Sequence, residues 1–170
     1  MANPLYGQNK ADTSISRKLF STTEQKTHHT STDAADLFTY SIPADTLEPG
    51  HIVRIKAFAT VTDNNSTDTL TPILKFGGTA IATGAALDVA DSDIIWTWAD
   101  VHVATIGSSG TMEAFSSIRT DALGAVHVIA ATSLTSKDTT GTLAVALNVD
   151  WSVSHAENIV RLDAASIELV

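Results

Sequence analysis

The stretch HIVRIKAFATV, residues 51–61, alternates apolar and polar side chains. Because successive side chains of a β-strand point to opposite faces, this spacing predicts a half-buried strand. Arg54, Lys56 and Thr60 would share the exposed face. The residues of the buried face would be Val53, Ile55, Ala57, Ala59 and Val61.

The same alternation recurs on both sides of this stretch. LFTYSI (37–42), IIWTWADVHVATI (94–106) and GTLAVALNVDWSV (141–153) are clear cases, and turn-forming residues separate them. Strands of this length with turns between them predict an all-β fold. We expect residues 37–170 to form an antiparallel β-sandwich that is jelly-roll-like. The periodicity does not give the order of the strands.

A tight hairpin is predicted within LKFGGTAIAT, residues 74–83, because Gly77 and Gly78 lie between two short apolar runs. Glycine adopts the positive φ angles that two-residue hairpin turns require. Pro72 precedes this hairpin and predicts an edge strand or a bulge there, since proline cannot donate a ladder hydrogen bond.

Residues 1–36 differ from the rest of the chain because they are rich in polar residues and poor in large apolar ones. Such a segment buries too little to fold by itself, so we interpret it as an extended N-terminal arm that docks onto a partner. A floppy tail is the alternative interpretation. The apolar residues that would anchor the arm are Leu5, Tyr6, Ile15, Leu19 and Phe20.

The composition is acidic, with 19 Asp and Glu residues against 10 Lys and Arg residues and a formal net charge of −9. A surface of this charge repels phosphate backbones, so we expect no nucleic-acid partner. The chain has no cysteine, which excludes disulfides and thiolate metal sites. Neither a signal peptide nor a membrane-spanning apolar tract is recognisable, so no membrane partner is expected.

Motifs for catalysis or metal binding are weak. His102 and His127 could meet across strands near Asp100, but the six histidines show no metal-binding spacing, and ordinary strand histidines are the simpler interpretation. The acidic segments DNNSTD (63–68) and DVADSD (88–93) lack the pattern of a calcium loop and are typical of turns. We expect no enzyme, no cofactor, and no catalytic or metal-binding residue.

Trp96 and Trp98 are two residues apart and therefore share one face of a strand with His102. An aromatic pair of this kind is typical of a sugar-binding platform or a subunit contact. The simpler interpretation, which the pattern favours, is a sandwich core lined by tryptophan.

Residues 37–106 resemble the β-rich structural proteins of tailed bacteriophage virions. The resemblance rests on Ile42-Pro43-Ala44, the turn ending in Gly50, the strand at 51–61, and Phe76-Gly77-Gly78. The opening MANPLYGQNKAD (1–12) also looks like the start of phage head or tail components. The resemblance implies a jelly-roll-like module, commonly trimeric, that serves as a capsid decoration (cement) protein, head fibre or tail component without catalytic residues.

On this basis we expect a decoration protein on the outer surface of the phage head, made in the cytoplasm of the bacterial host. It would bind the major capsid protein and neighbouring copies of itself as a homotrimer, and it would stabilise the shell through many modest contacts. The alternative is a tail or fibre protein that binds host surface glycan through Trp96, Trp98 and the loops 62–69 and 88–93. A hydrolase of surface polysaccharide is a third hypothesis.

Overall fold

The computed structural model describes residues 16–29, 31–65, 67–121 and 127–170, and nothing is described of the side chain of His127. In these ranges the chain forms β-strands joined by turns and loops. No helix in the described part of the chain is long and apolar enough to cross a membrane. The strands are β1 (Arg17–Thr22), β2 (Thr27–His29), β3 (Ala35–Ile42), β4 (Ile52–Asp63), β5 (Thr69–Phe76), β6 (Thr79–Thr83), β7 (Leu87–Asp88), β8 (Ile94–Thr105), β9 (Gly110–Thr120), β10 (His127–Lys137), β11 (Leu143–Trp151) and β12 (Ile159–Leu169).

The strands form two antiparallel sheets. Sheet A has seven strands in the order β1-β12-β4-β8-β9-β10, with β2 also paired to β12. Sheet B has five strands in the order β3-β11-β5-β6, with β7 also paired to β5. The two sheets enclose one hydrophobic core. The predicted all-β antiparallel sandwich is confirmed.

The core lies between the inner faces of the two sheets, where the predicted alternation is confirmed. On β4, Val53, Ile55 and Val61 are fully buried, whereas Lys56 faces outward. From sheet B, β11 contributes the largest core side chain, Trp151. A buried apolar side chain stabilises the fold by about 1.5–3 kcal/mol relative to an exposed one, so this inner layer supplies most of the driving force.

The predicted hairpin is present, with Gly77 at φ +53° and Gly78 at φ +76° between β5 and β6. Lys137 closes the turn by donating from Nζ to the carbonyl oxygen of Gly77 at 3.0 Å. Of the two alternatives predicted at Pro72, the edge strand is wrong, because β5 is an interior strand, whereas the pairing of β5 with β6 does shift register between Leu74 and Lys75. Strand β5 pairs with β11 on one side, and on the other side its partner changes from β7 to β6 around Pro72.

Two strands lie within residues 1–36, the range predicted to be an arm. Both β1 and β2 pair with β12, and Arg17 is the register partner of Leu169. Leu19 and Phe20 pack against the core of their own molecule. The ring of Phe20 stacks on Tyr40 at a centroid distance of 5.1 Å and on Phe38 at 6.0 Å.

The other predicted anchors, Leu5, Tyr6 and Ile15, lie outside the described residues. Docking of the arm onto a partner stays a prediction, and so does the boundary between the arm and residues 37–170. Because Leu19 and Phe20 already contact the core of their own molecule, they are less available as anchors for a partner.

Gly110 begins β9 at a point where other backbone segments approach closely. A Cβ atom at this position would lie 2.8 Å from the carbonyl oxygen of Thr105 and 2.9 Å from that of Lys137. Both contacts are with backbone atoms, which cannot move away as a flexible side chain could. Glycine is therefore required here for space.

We expect Gly110→Ala to lower the free energy of unfolding by about 1–3 kcal/mol, the usual cost of overpacking. The measurement is equilibrium unfolding in urea. Gly141→Ala is the matched control, because the nearest atom to a Cβ there is 3.6 Å away. Equal stability of the two variants would contradict the steric explanation.

His28 is a buried titratable residue in β2. Its register partner is Val160, and its Nε2 atom has no hydrogen-bond partner among the described residues. Burial lowers the pKa of His28 below its ordinary value of 6.5, and the charge of neighbouring His29 lowers that pKa further. The folded protein therefore favours the neutral imidazole.

We expect the protein to lose stability in mild acid through His28. The imidazole binds its proton more readily in the unfolded chain, so stability is complete above the ordinary pKa of 6.5 and falls as the pH drops toward the lower folded pKa. His28→Gln should reduce this loss, measured as the change in unfolding free energy between about pH 7.5 and pH 5.5. His155→Gln, at a half-buried position, is the control, and an equal reduction in both variants would refute this role.

Candidate binding face

The outward side of sheet A carries the largest concentration of exposed aromatic side chains that the described residues show. Strands β4, β8, β9 and β10 are neighbours there, so their register partners form rows across the sheet. The rows, in order along β8, are Phe58, Trp96, Arg119 and His127; Lys56, Trp98, Ser117 and Ile129; Arg54, Asp100, Phe115 and Ala131; Ile52, His102, Glu113 and Ser133.

Five of the exposed or half-buried apolar side chains of these rows form what we call the aromatic face. Trp98 is 38% exposed, Phe58 41%, Phe115 49% and Ile129 75%, while Trp96 is half-buried. Contiguous apolar surface of this kind marks interaction sites in soluble proteins. The face is defined by Phe58, Trp96, Trp98, Phe115 and Ile129.

The outward position of the two tryptophans corrects the expectation that they line the core. The inward side of β8 carries Ile95, Thr97, Ala99 and Val101 instead, all of which are buried. These smaller side chains fit between the sheets, and the tryptophan of the core is Trp151 on β11. Trp96, Trp98 and His102 do share one face of β8, as the spacing predicted.

Ring contacts fix the side chains in one row of the aromatic face, that of Phe58, Trp96 and Arg119. Phe58 meets Trp96 edge to face at a centroid distance of 6.3 Å, and the guanidinium of Arg119 lies 5.6 Å from the Trp96 ring centroid. These edge-to-face and cation–π contacts hold rings in place at little cost in solvation. These contacts restrict the orientation of the Trp96 ring, and Trp98 lies beside it along β8.

A bidentate ion pair lies in the centre of the face. Arg54 donates from Nε to Oδ1 of Asp100 and from Nη2 to Oδ2, both at 2.9 Å. The hydrogen bond with Asp100 and the charge of that carboxylate raise the pKa of Arg54. Asp100 is buried, so its charge requires this partner. The pair supplies a rigid polar group directly beside Trp98 and Phe115.

His102 lies at the lower end of the face and contacts Phe115 edge to face at 5.6 Å. Its register partner is Glu113, whereas that of His127 is Arg119, so the two histidines fall in different rows. This register therefore does not support a metal site that uses both histidines. Among the side chains that the structure describes, no group of three or more His, Asp or Glu residues is placed to hold a metal ion.

The side chains of the acidic loops form hydrogen bonds within the protein. Asn158 donates from Nδ2 to Asp68 at 2.9 Å and accepts from the backbone N–H of Asn65 at 3.1 Å. In the second loop, Asp93 accepts from the backbone N–H of Ala90 at 2.7 Å. The contact of Asp93 is local, as expected of a turn residue, whereas Asp68 is buried and its partner Asn158 is distant in sequence.

Apart from the aromatic face, a concave surface lies where the segment after β1 passes over β3. It is an open groove of about 410 Å³ that combines polar and apolar side chains. Its apolar floor is largely buried, and the ring of Phe20 is already stacked on Phe38 and Tyr40. The groove therefore offers a ligand less free aromatic surface than the aromatic face does. Its lining consists of Phe20, Thr22, Glu24, Gln25, Lys26, Leu37, Phe38, Thr39 and Leu162.

Phe58, Phe115, Arg119 and Ile129 were not among the residues expected to form a site. A signal for Phe58 was present, because it falls on the polar side of HIVRIKAFATV between Lys56 and Thr60. An aromatic residue in such a position is exposed unless another element covers it. For Phe115, Arg119 and Ile129 the missing information was strand order, since only pairing with β8 brings them together.

Comparisons with known proteins assign no family, because no family model and no curated protein match the chain. Two solved structures are similar at low identity. One is the C-terminal domain of EclA, a sugar-binding protein, with a TM-score of 0.41, 12% identity, and coverage of 86% of this chain and 78% of that chain. The other is the CBM2 module of the evolved Dit of Lactobacillus casei BL23 phage J-1, with a TM-score of 0.32, 9% identity, and coverage of 76% and 67% respectively.

Proposed function

We propose that this chain is a non-enzymatic structural protein of a phage virion that binds glycan on the host surface through the aromatic face. One observation carries the proposal: Trp98 is exposed on an open sheet with polar side chains on both sides of it. The resemblance of residues 37–106 to structural proteins of tailed phages supports the virion as its location. A tail or fibre component is the form that fits glycan binding.

The chemistry of the face suits a sugar. The faces of pyranose rings are lined with C–H groups that pack against aromatic rings, and their edges carry hydroxyls that need hydrogen-bond partners. Trp98 offers a large amphipathic ring, and the Arg54–Asp100 pair and Lys56 lie within reach of its edges. The rows that cross the neighbouring strands also leave room for a chain of sugars.

The same face argues for binding rather than hydrolysis. Glycoside hydrolysis uses two carboxyl groups about 5–10 Å apart that flank the scissile bond. In the described rows, Asp100 is held by Nε and Nη2 of Arg54, and Glu113 accepts a hydrogen bond from the Ser133 hydroxyl. Assembly of several copies, which we propose to be a homotrimer, would convert weak single contacts into firm attachment.

Replacing the central ring tests this proposal. We expect Trp98→Ala to weaken binding to bacterial surface polysaccharides by about 30-fold, since truncating a central aromatic anchor costs about 2 kcal/mol or more. The measurement is isothermal titration calorimetry with a panel of purified polysaccharides. Val153→Ala, at an exposed apolar position in the β11–β12 loop, is the matched control. A wild-type protein that binds none of the panel would refute glycan binding.

Capsid decoration is the second candidate, and strand β10 is the observation that favours it. β10 is the outer strand of sheet A, residues 128–136 carry no charge and no proline, and Ile129 is 75% exposed. Open strand edges of this kind pair readily with other polypeptide chains. The edge would then contact the major capsid protein or a neighbouring copy.

For this candidate we expect Ile129→Lys to abolish most attachment to purified phage heads that lack the protein, because the new charge would have to be desolvated at the contact. Co-sedimentation of protein with heads is the measurement. Ile106→Lys places the same charge at another exposed isoleucine, in the β8–β9 loop, and should leave attachment intact. Attachment unaffected by Ile129→Lys would exclude β10 as the contact.

A further inference from the structure

Two positively charged side chains, Lys56 and Arg119, lie next to Trp98, although the chain as a whole is acidic. Lys56 is the register partner of Trp98 on β4, and its side chain is exposed. Arg119 on β9 is two residues from Ser117, the partner of Trp98 on the other side, so it lies diagonally across from Trp98. Such direct and diagonal neighbours are about 5–8 Å apart, within reach of long side chains.

Among the described residues, neither cation is neutralised by a carboxylate, although Arg119 also lies over the Trp96 ring. In the part of the chain that the structure describes, neither Lys56 nor Arg119 forms a salt bridge with a carboxylate. The third cation nearby, Arg54, is neutralised by Asp100. The other carboxylate of the four rows, Glu113, lies in the row of His102 and accepts a hydrogen bond from the Ser133 hydroxyl.

These two cations lie on a protein with a formal net charge of −9, and Glu168 on β12, the register partner of Arg54, is a carboxylate on the same side of the sheet. Exposed cations on both sides of an open aromatic ring attract anions locally, although the molecule as a whole repels them. A neutral sugar would gain stacking and hydrogen bonds from this arrangement, but it would leave the two charges without a counterion. An anionic sugar would use all three groups.

From these charges we infer that the ligand of the aromatic face is an acidic glycan, a deepening that rests on the proposed function. Its sugar ring would stack on Trp98, and its anionic group would be bound by Lys56 and Arg119. The required chemistry is a negative oxygen group on a saccharide chain. A carboxylate of a sugar acid and a phosphate of a phosphodiester-linked polymer both provide it.

Titration calorimetry with matched polymers tests the inference. The carboxylate probe is polygalacturonate with its methyl ester as the neutral counterpart, and the phosphate probe is poly(glycerol phosphate) with neutral dextran beside it. We expect wild-type protein to bind at least one anionic polymer more than about 10-fold tighter than the neutral polymers, with an affinity that falls as salt increases. The preferred polymer identifies the source of the charge.

Variants then assign the preference to the two cations. Lys56→Gln and Arg119→Gln should each lower the ratio of anionic to neutral affinity by about threefold, the scale of a solvent-exposed ion pair. Arg119→Lys should restore most of that ratio because it keeps the charge. Lys75→Gln, on β5 in the opposite sheet, is the control for general electrostatic attraction and should leave the ratio unchanged.

The outcomes separate the two proposals. Equal affinity for neutral and anionic polymers would overturn the inference and leave glycan binding intact. Failure to bind any polymer would overturn both. An equal loss of preference in Lys75→Gln would also overturn the inference, since the net charge and not the aromatic face would then select the ligand. Thermal unfolding of each variant verifies that the sandwich is intact.

Discussion

The pairing of β4 with β8 is the constraint on which the rest of the structure depends. Its register sets Ile55 opposite Ala99 and Ala59 opposite Ile95 on the inner face, so that in these two pairs a large side chain meets a small one. A slip of one residue would exchange the two faces of a strand. Such a slip in β8 would turn Trp96 and Trp98 toward the core, where the smaller side chains fit now.

The same register builds the outer surface. It brings Arg54 beside Asp100, which are 46 residues apart in sequence, and it places Lys56 beside Trp98. Burial of Asp100 makes its partner obligatory, because an unpaired carboxylate in that position would be costly. The polar pair thus reinforces the pairing that the apolar contacts of the inner face select. Fold stability and the geometry of the aromatic face therefore have one origin.

Sequence was sufficient for much of this fold. Alternation identified the faces of β4, β8 and β11, and the two glycines located the hairpin, because both signals are local. It could not decide which face of β8 looks inward, since Ile95 and Trp96 are both bulky and apolar. Strand order decides which face of β8 is buried, and it also brings Phe58, Phe115 and Ile129 together. Pairing of β1 and β2 with β12 was equally hidden, because a polar composition at residues 17–29 gives no sign of a distant partner strand.

The register of β1 against β12 has a geometric consequence. Arg17 lies beside Leu169, so the first and last strands of the described chain are neighbours at one edge of sheet A. The open rim at β10 is on the far side of that sheet. One side of sheet A thus carries strands from both ends of the described chain, and the aromatic face lies on the strands beyond them, β4 to β10.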